Sequence, residues 1–158
     1  MNAELFRGAL AGLAATLPMS VAMELGADQL PRRERYPLPP RLITSNLARK
    51  AGYGHRLSDG EIKALTLASH FGYGATMGAI YGAVVPPKLV GVKSGVLFGL
   101  CVWASSYLGL LPALGILSNA TEHPARRNAL MIGAHVVWGS TLGRTLQAMA
   151  DDSEDEDA

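Results

Sequence analysis

Residues 70–78 read His70-Phe71-Gly72-Tyr73-Gly74-Ala75-Thr76-Met77-Gly78, and residues 135–143 read His135-Val136-Val137-Trp138-Gly139-Ser140-Thr141-Leu142-Gly143. Each stretch is His, two residues, an aromatic, Gly, a small residue, Thr, a long apolar residue and Gly. His and Thr in the same register argue against coincidence, even in Gly/Ala-rich sequence. Upstream of each lies a weaker match, Gly8-Ala9-Leu10-Ala11-Gly12-Leu13 against Gly95-Val96-Leu97-Phe98-Gly99-Leu100. The chain therefore reads as two tandem helical hairpins. An even number of spans per unit makes such repeats parallel, related by an axis along the membrane normal.

Working outward, the repeats fall in four apolar windows near the roughly 20 residues that cross a bilayer core. They are 5–25, 64–85, 94–117 and 129–148, with almost no charge inside the last three. A soluble bundle needs polar faces on such helices, and these offer none. A cleaved secretory signal would precede a soluble domain, whereas further apolar windows follow the first. The expected fold is all-α: a four-transmembrane-helix bundle over residues 1–150, followed by a disordered acidic tail at 151–158. The mean hydropathy of +0.18 conceals this segregation of charge into the connections and the tail.

Boundary residues agree. Ser58-Asp59-Gly60-Glu61 is a capping box for the second helix, and Pro86-Pro87 ends it. Pro124 opens the fourth helix from its first turn. The connection 26–63 is Pro/Arg-rich at first, then suits a short amphipathic helix from about Pro40 to Lys50. With that helix lying flat on the bilayer, the loop would bring Arg32, Arg33, Arg35, Arg41, Arg49 and Lys50 to anionic headgroups. The two connections on one face hold ten Lys/Arg and the opposite face four, which places the long loop in the cytoplasm and both termini outside. No basic helix with interleaved aromatics points to nucleic acid. Cys101 is alone, so an intrachain disulfide is excluded.

Small residues recur at four-residue spacing in Gly8, Gly12, Thr16 and Ser20, in Gly74, Gly78 and Gly82, in Gly95 and Gly99, and in Gly139 and Gly143. Such stripes let helix backbones approach closely in lipid, within one chain or in a homo-oligomer. One step further along, they reach Glu24, His70 and His135. An intramembrane Glu/His cluster, supported by Thr16, Ser20, Tyr73 and Trp138, is the candidate site, because ionisable groups are costly in a bilayer.

Three readings of the cluster stand open. The histidines fix helix register through local hydrogen bonds; they form a proton-responsive or transport site with Glu24; or His70 and His135 hold a metal or a b-type haem between them. No catalytic motif is present: there is no nucleophile elbow, phosphate loop or metalloprotease signature. The expected role is a non-enzymatic structural or accessory membrane protein, with a proton-linked or small-solute transporter or channel as the alternative.

Pro37-Leu38-Pro39-Pro40-Arg41, Ala68-Ser69-His70-Phe71-Gly72-Tyr73-Gly74, the run 95–115 and His123-Pro124-Ala125-Arg126-Arg127-Asn128 through Gly139 resemble the YagU-like small bacterial inner-membrane proteins. The resemblance covers about residues 5–148. It implies an integral protein of the bacterial inner membrane, in a group of unknown function with one member associated with acid tolerance. It ties no motif to a reaction.

Overall fold

The structure is a computed structural model that describes the backbone of residues 3–156 and the side chains of residues 3–151. Among these residues there are five helices and no strand: α1 (Ala3–Ala27), α2 (Pro39–Lys50), α3 (Asp59–Val84), α4 (Val92–Ala113) and α5 (Ala125–Glu156). The all-helical architecture agrees with the sequence. Two helices, α1 and α4, are long and apolar enough to cross a membrane. The expectation of four such helices is thus met by two. The other two, α3 and α5, are long enough, but their glycines, histidines and hydroxyl residues lower their apolarity.

Several boundaries move. The third window stops at Ala113 rather than 117, where Gly115 adopts a left-handed φ of 59° and turns the chain. The acidic tail, expected to be disordered, continues α5 as helix to Glu156; Asp157 and Ala158 lie outside the described residues. Ser58 caps α3 as expected, with Ser58 Oγ accepting from the Glu61 amide and the Glu61 carboxylate accepting from the Ser58 amide at 2.7 Å. These bonds from the Ser58 side chain and backbone hold the Glu61 carboxyl below its ordinary value of 4.5.

Packing follows the glycines. α1 packs along α3 and α5, and α5 packs along α4, whereas α3 and α4 touch only slightly. In the first hairpin, a methyl group added to Gly78 would lie 2.6 Å from the Gly12 Cα. In the second, one added to Gly139 would lie 2.8 Å from the Gly95 carbonyl carbon. Gly8 and Gly82 in one crossing and Gly99 and Gly143 in the other meet partner backbone just as closely, and Gly74 meets the Thr16 side chain. The repeated glycines therefore make corresponding crossings in the two hairpins. These stripes are taken up by crossings within the chain.

The inward face of α1 is consequently small or soft, with Ala11, Ala15, Met19 and Met23 buried, and the larger Tyr81, Trp138, Leu142 and Leu146 fill the core beside it. Large apolar residues point outward: on α1 alone, Phe6, Leu10, Leu13, Leu17, Val21 and Leu25 are exposed. Cys101 is also exposed.

Candidate functional site: a histidine-lined cavity

A cavity of about 270 Å³ opens where α3 and α4 part. The two helices are held together at the short-loop end, where the fully buried Tyr81 places its hydroxyl 2.8 Å from Ser94 Oγ. Toward the long loop they separate, and α2 bridges the gap. Its Thr44 hydroxyl lies 3.3 Å from Ser69 Oγ on α3, and Asn46 Nδ2 donates to the Ile116 carbonyl beyond α4 at 2.7 Å. Strict repeat symmetry would make α3–α4 as tight as its counterpart α1–α5. That symmetry is broken here, and the cavity is the result.

The lining is mostly apolar. Thr16, Met19 and Met23 come from α1; Pro40, Ile43 and Leu47 from α2; His70, Tyr73, Gly74 and Met77 from α3. Val102, Ser106, Tyr107 and Leu110 come from α4, and His135 and Trp138 from α5. Within α4, residues Ser105–Leu110 form a π-helical stretch. Its wider turn sets Ser106 and Tyr107 toward the cavity, a distortion often found where a helix carries function.

The polar groups are tied down locally. His135 Nδ1 lies 2.7 Å from the Met131 carbonyl, and His70 Nδ1 makes a long contact of 3.5 Å with Ser20 Oγ. The repeat-related aromatics each reach the other hairpin. The Tyr73 hydroxyl lies 3.0 Å from Ser106 Oγ, and Trp138 Nε1 donates to the Gly12 carbonyl at 3.2 Å. Tyr107 packs edge-on to His135, with ring centroids 6.0 Å apart.

Of the cluster expected from sequence, the structure brings His70 and His135 to one cavity, with Thr16, Tyr73 and Trp138 in its wall and Ser20 behind His70. Glu24 does not join them. It is exposed and absent from the lining. The reason is helical phase: at 3.6 residues per turn each four-residue step gains about 40°, so Glu24 lies about 160° around α1 from Gly8. Met23 occupies the inward position instead.

Among the described residues, no group of three or more His, Cys, Asp or Glu is placed to hold a metal. α2 forms as expected but turns Pro40, Ile43 and Leu47 to the cavity, leaving Arg41, Arg49 and Lys50 exposed on its outer side. Met19, Met23, Met77, Ser106 and Tyr107 were not anticipated. The one available signal was Met19 and Met23, spaced by one turn on a helix face.

A second unanticipated cluster holds the long loop. Arg127, buried at the start of α5, donates to the carbonyls of Glu34 (2.7 Å), Tyr36 (3.0 Å) and Pro37 (3.0 Å). Its guanidinium carbon stacks 3.5 Å from the centroid of the Tyr36 ring. Burial pushes the Arg127 pKa below its ordinary value, and Tyr36 and Glu34 oppose that shift. The Tyr36 hydroxyl lies 3.0 Å from His123 Nδ1, and His123 Nε2 3.1 Å from Ser118 Oγ. Of the other loop cations, Arg35 Nε donates to the Leu30 carbonyl, Arg41 pairs with Asp59 at 3.0 Å, and Arg32 and Arg33 are exposed.

Compared with known proteins, residues 25–143 match the model of one family, described as protein of unknown function (DUF1440). No curated protein and no solved structure matches the chain.

Proposed function

The chain belongs to this family of unknown function, and we propose that it is an integral membrane protein that binds a small, largely apolar solute in the histidine-lined cavity. In this reading α1, α3, α4 and α5 all cross a bacterial inner membrane. The long loop is cytoplasmic and the termini lie outside. Solute binding or transport takes precedence over a purely structural role, and no catalytic step is assigned.

The observation that carries the membrane reading is the inverted distribution of side-chain size. On α1, small residues and methionines face inward, while Phe6, Leu10, Leu13, Leu17 and Val21 cover its outside. In water such a face is an association hazard; in lipid it is the solvated face. The observation that supports binding is the cavity itself, apolar with a few converging polar groups, the usual composition of a ligand pocket. Haem finds less support. An apolar cavity of about 150 Å³ accepts benzene, so 270 Å³ holds a ring with substituents. A porphyrin is several times bulkier.

Two measurements test this proposal. A reporter fused to the C-terminus is expected to be active only outside the cytoplasm; cytoplasmic activity overturns the orientation. In detergent, toluene is expected to bind saturably and raise the unfolding temperature. Val102→Phe, which fills the cavity, abolishes that response, and the outward-facing Leu97→Phe does not. An equal response in both variants rejects the cavity as the binding site.

A further inference from the structure

The hydrogen-bond directions around the two histidines restrict what the cavity accepts. A backbone carbonyl can only accept, so His135 Nδ1 donates its proton to the Met131 oxygen. The neutral ring then carries its lone pair on Nε2. The same conclusion holds for His70 by a different route. Ser20 has one hydroxyl hydrogen, and it donates to the Thr16 carbonyl at 2.7 Å. Across the 3.5 Å contact Ser20 Oγ can then only accept from His70 Nδ1, which favours the same tautomer, with the lone pair on Nε2.

The cavity is poor in donors able to satisfy those nitrogens. Thr16 donates to the Gly12 carbonyl at 2.8 Å, and Thr44 to the Pro40 carbonyl at 3.0 Å. Ser69 donates to the Thr66 carbonyl at 3.2 Å. Tyr73 and Ser106 bond to each other, which uses one of their two hydroxyl hydrogens. The second hydrogen of that pair and the hydroxyl of Tyr107, edge-on to His135, are the remaining hydroxyl donors of the lining.

We propose that the cavity selects a one-ring alcohol or phenol, whose hydroxyl donates to Nε2 of His70 or His135 and accepts from Tyr107. This rests on the solute-binding reading and adds its chemical class. A hydroxyl both donates and accepts, as this lining requires. An ether or ketone can only accept and leaves the histidine lone pairs unpaired; a hydrocarbon satisfies neither side. Leaving a buried polar group unpaired weakens binding by at least about 10-fold. The methionines, Ile43 and Leu47 accommodate the apolar body without demanding a particular shape.

The test compares 4-fluorophenol with its isostere 4-fluorotoluene and with 4-fluoroanisole. Binding to the full chain in detergent micelles is followed by 19F NMR, with concentrations referred to the micellar phase. The phenol is expected to bind at least 10-fold more tightly than either analogue. In the double variant His70→Phe/His135→Phe the preference falls to about unity, while 4-fluorotoluene still binds. Equal affinities in the unaltered protein overturn the donor requirement and leave the solute-binding reading standing; binding by none of the three rejects both.

Because the double variant can fail to fold, 15N NMR of the histidines in the unaltered protein provides an independent measurement. Protonated Nδ1 and bare Nε2 are expected, with the Nε2 resonance moving when 4-fluorophenol is added. A protonated Nε2 in the free protein overturns the proposal. So does tight binding of one silver ion per chain that excludes the phenol, since the lone pairs then serve a soft metal beside the methionines.

Discussion

Alanine at Gly12 destabilises the protein by about 1–3 kcal/mol, the usual range for overpacking, and leucine there prevents folding. The added methyl meets the Gly74 carbonyl oxygen and lies 2.8 Å from the Gly78 Cα. Both neighbours are backbone, so no rotamer change relieves the contact, and α1 and α3 must separate along their length. Gly99 is the corresponding position in the second hairpin, where a methyl group meets the His135 carbonyl oxygen and lies 3.3 Å from the Gly139 Cα. Alanine there is expected to have a similar cost. Gly72 and Gly133 are the controls, because a methyl group at either meets nothing within 4 Å. At those sites alanine stabilises the helix by about 0.5–1 kcal/mol through the chain entropy of the unfolded state. Unfolding midpoints in mixed detergent check the comparison. Equal midpoints for Gly12→Ala and Gly72→Ala would show that close helix approach does not hold the bundle together.

Arg127→Ala releases the long loop. Three carbonyls lose their donor at once, and hydrogen bonds to a charged donor contribute about 1.5–3 kcal/mol each. Allowing for rehydration of the freed carbonyls, a local loss of about 3–5 kcal/mol is expected. Lysine rescues little, because an ammonium has neither the planar fork nor the flat face that stacks on Tyr36. Trypsin is a direct reporter, since exposed Arg32 and Arg33 lie in the released segment. Where reclosing outpaces cleavage, the rate follows the open population, so cleavage accelerates at least about 100-fold. The change should extend to α2, which follows the clasped segment at Pro39 and covers the cavity. Unchanged cleavage in Arg127→Ala would mean that the loop is held by other contacts.

These predictions mark where the sequence was readable. Spacing alone identified the glycines that cross, because close helix approach leaves a four-residue signature that needs no knowledge of the partner. The capping box at Ser58 was readable for the same reason, as all its atoms lie within one turn. His70 and His135 were singled out by their matching positions in the repeat. Glu24 was misplaced because the stripe was extended as a straight line, although a four-residue spacing winds around the helix. Arg127 was passed over because its partners Glu34, Tyr36 and Pro37 are remote in sequence, and so was the link from His123 to Tyr36. The chain between gives no sign that these groups meet.

By itself, the sequence determined that the chain is helical, where the helices begin, and which glycines bring them together. Each of these rests on local periodicity or local hydrogen bonding. The tertiary structure decided that α3 and α4 part toward the long loop, that α2 closes the gap, and that His70 and His135 share the resulting space without Glu24. Those outcomes depend on how the two hairpins pack against each other. A repeated sequence specifies two equivalent hairpins, but only their packing shows where the equivalence breaks, and the cavity lies at that break.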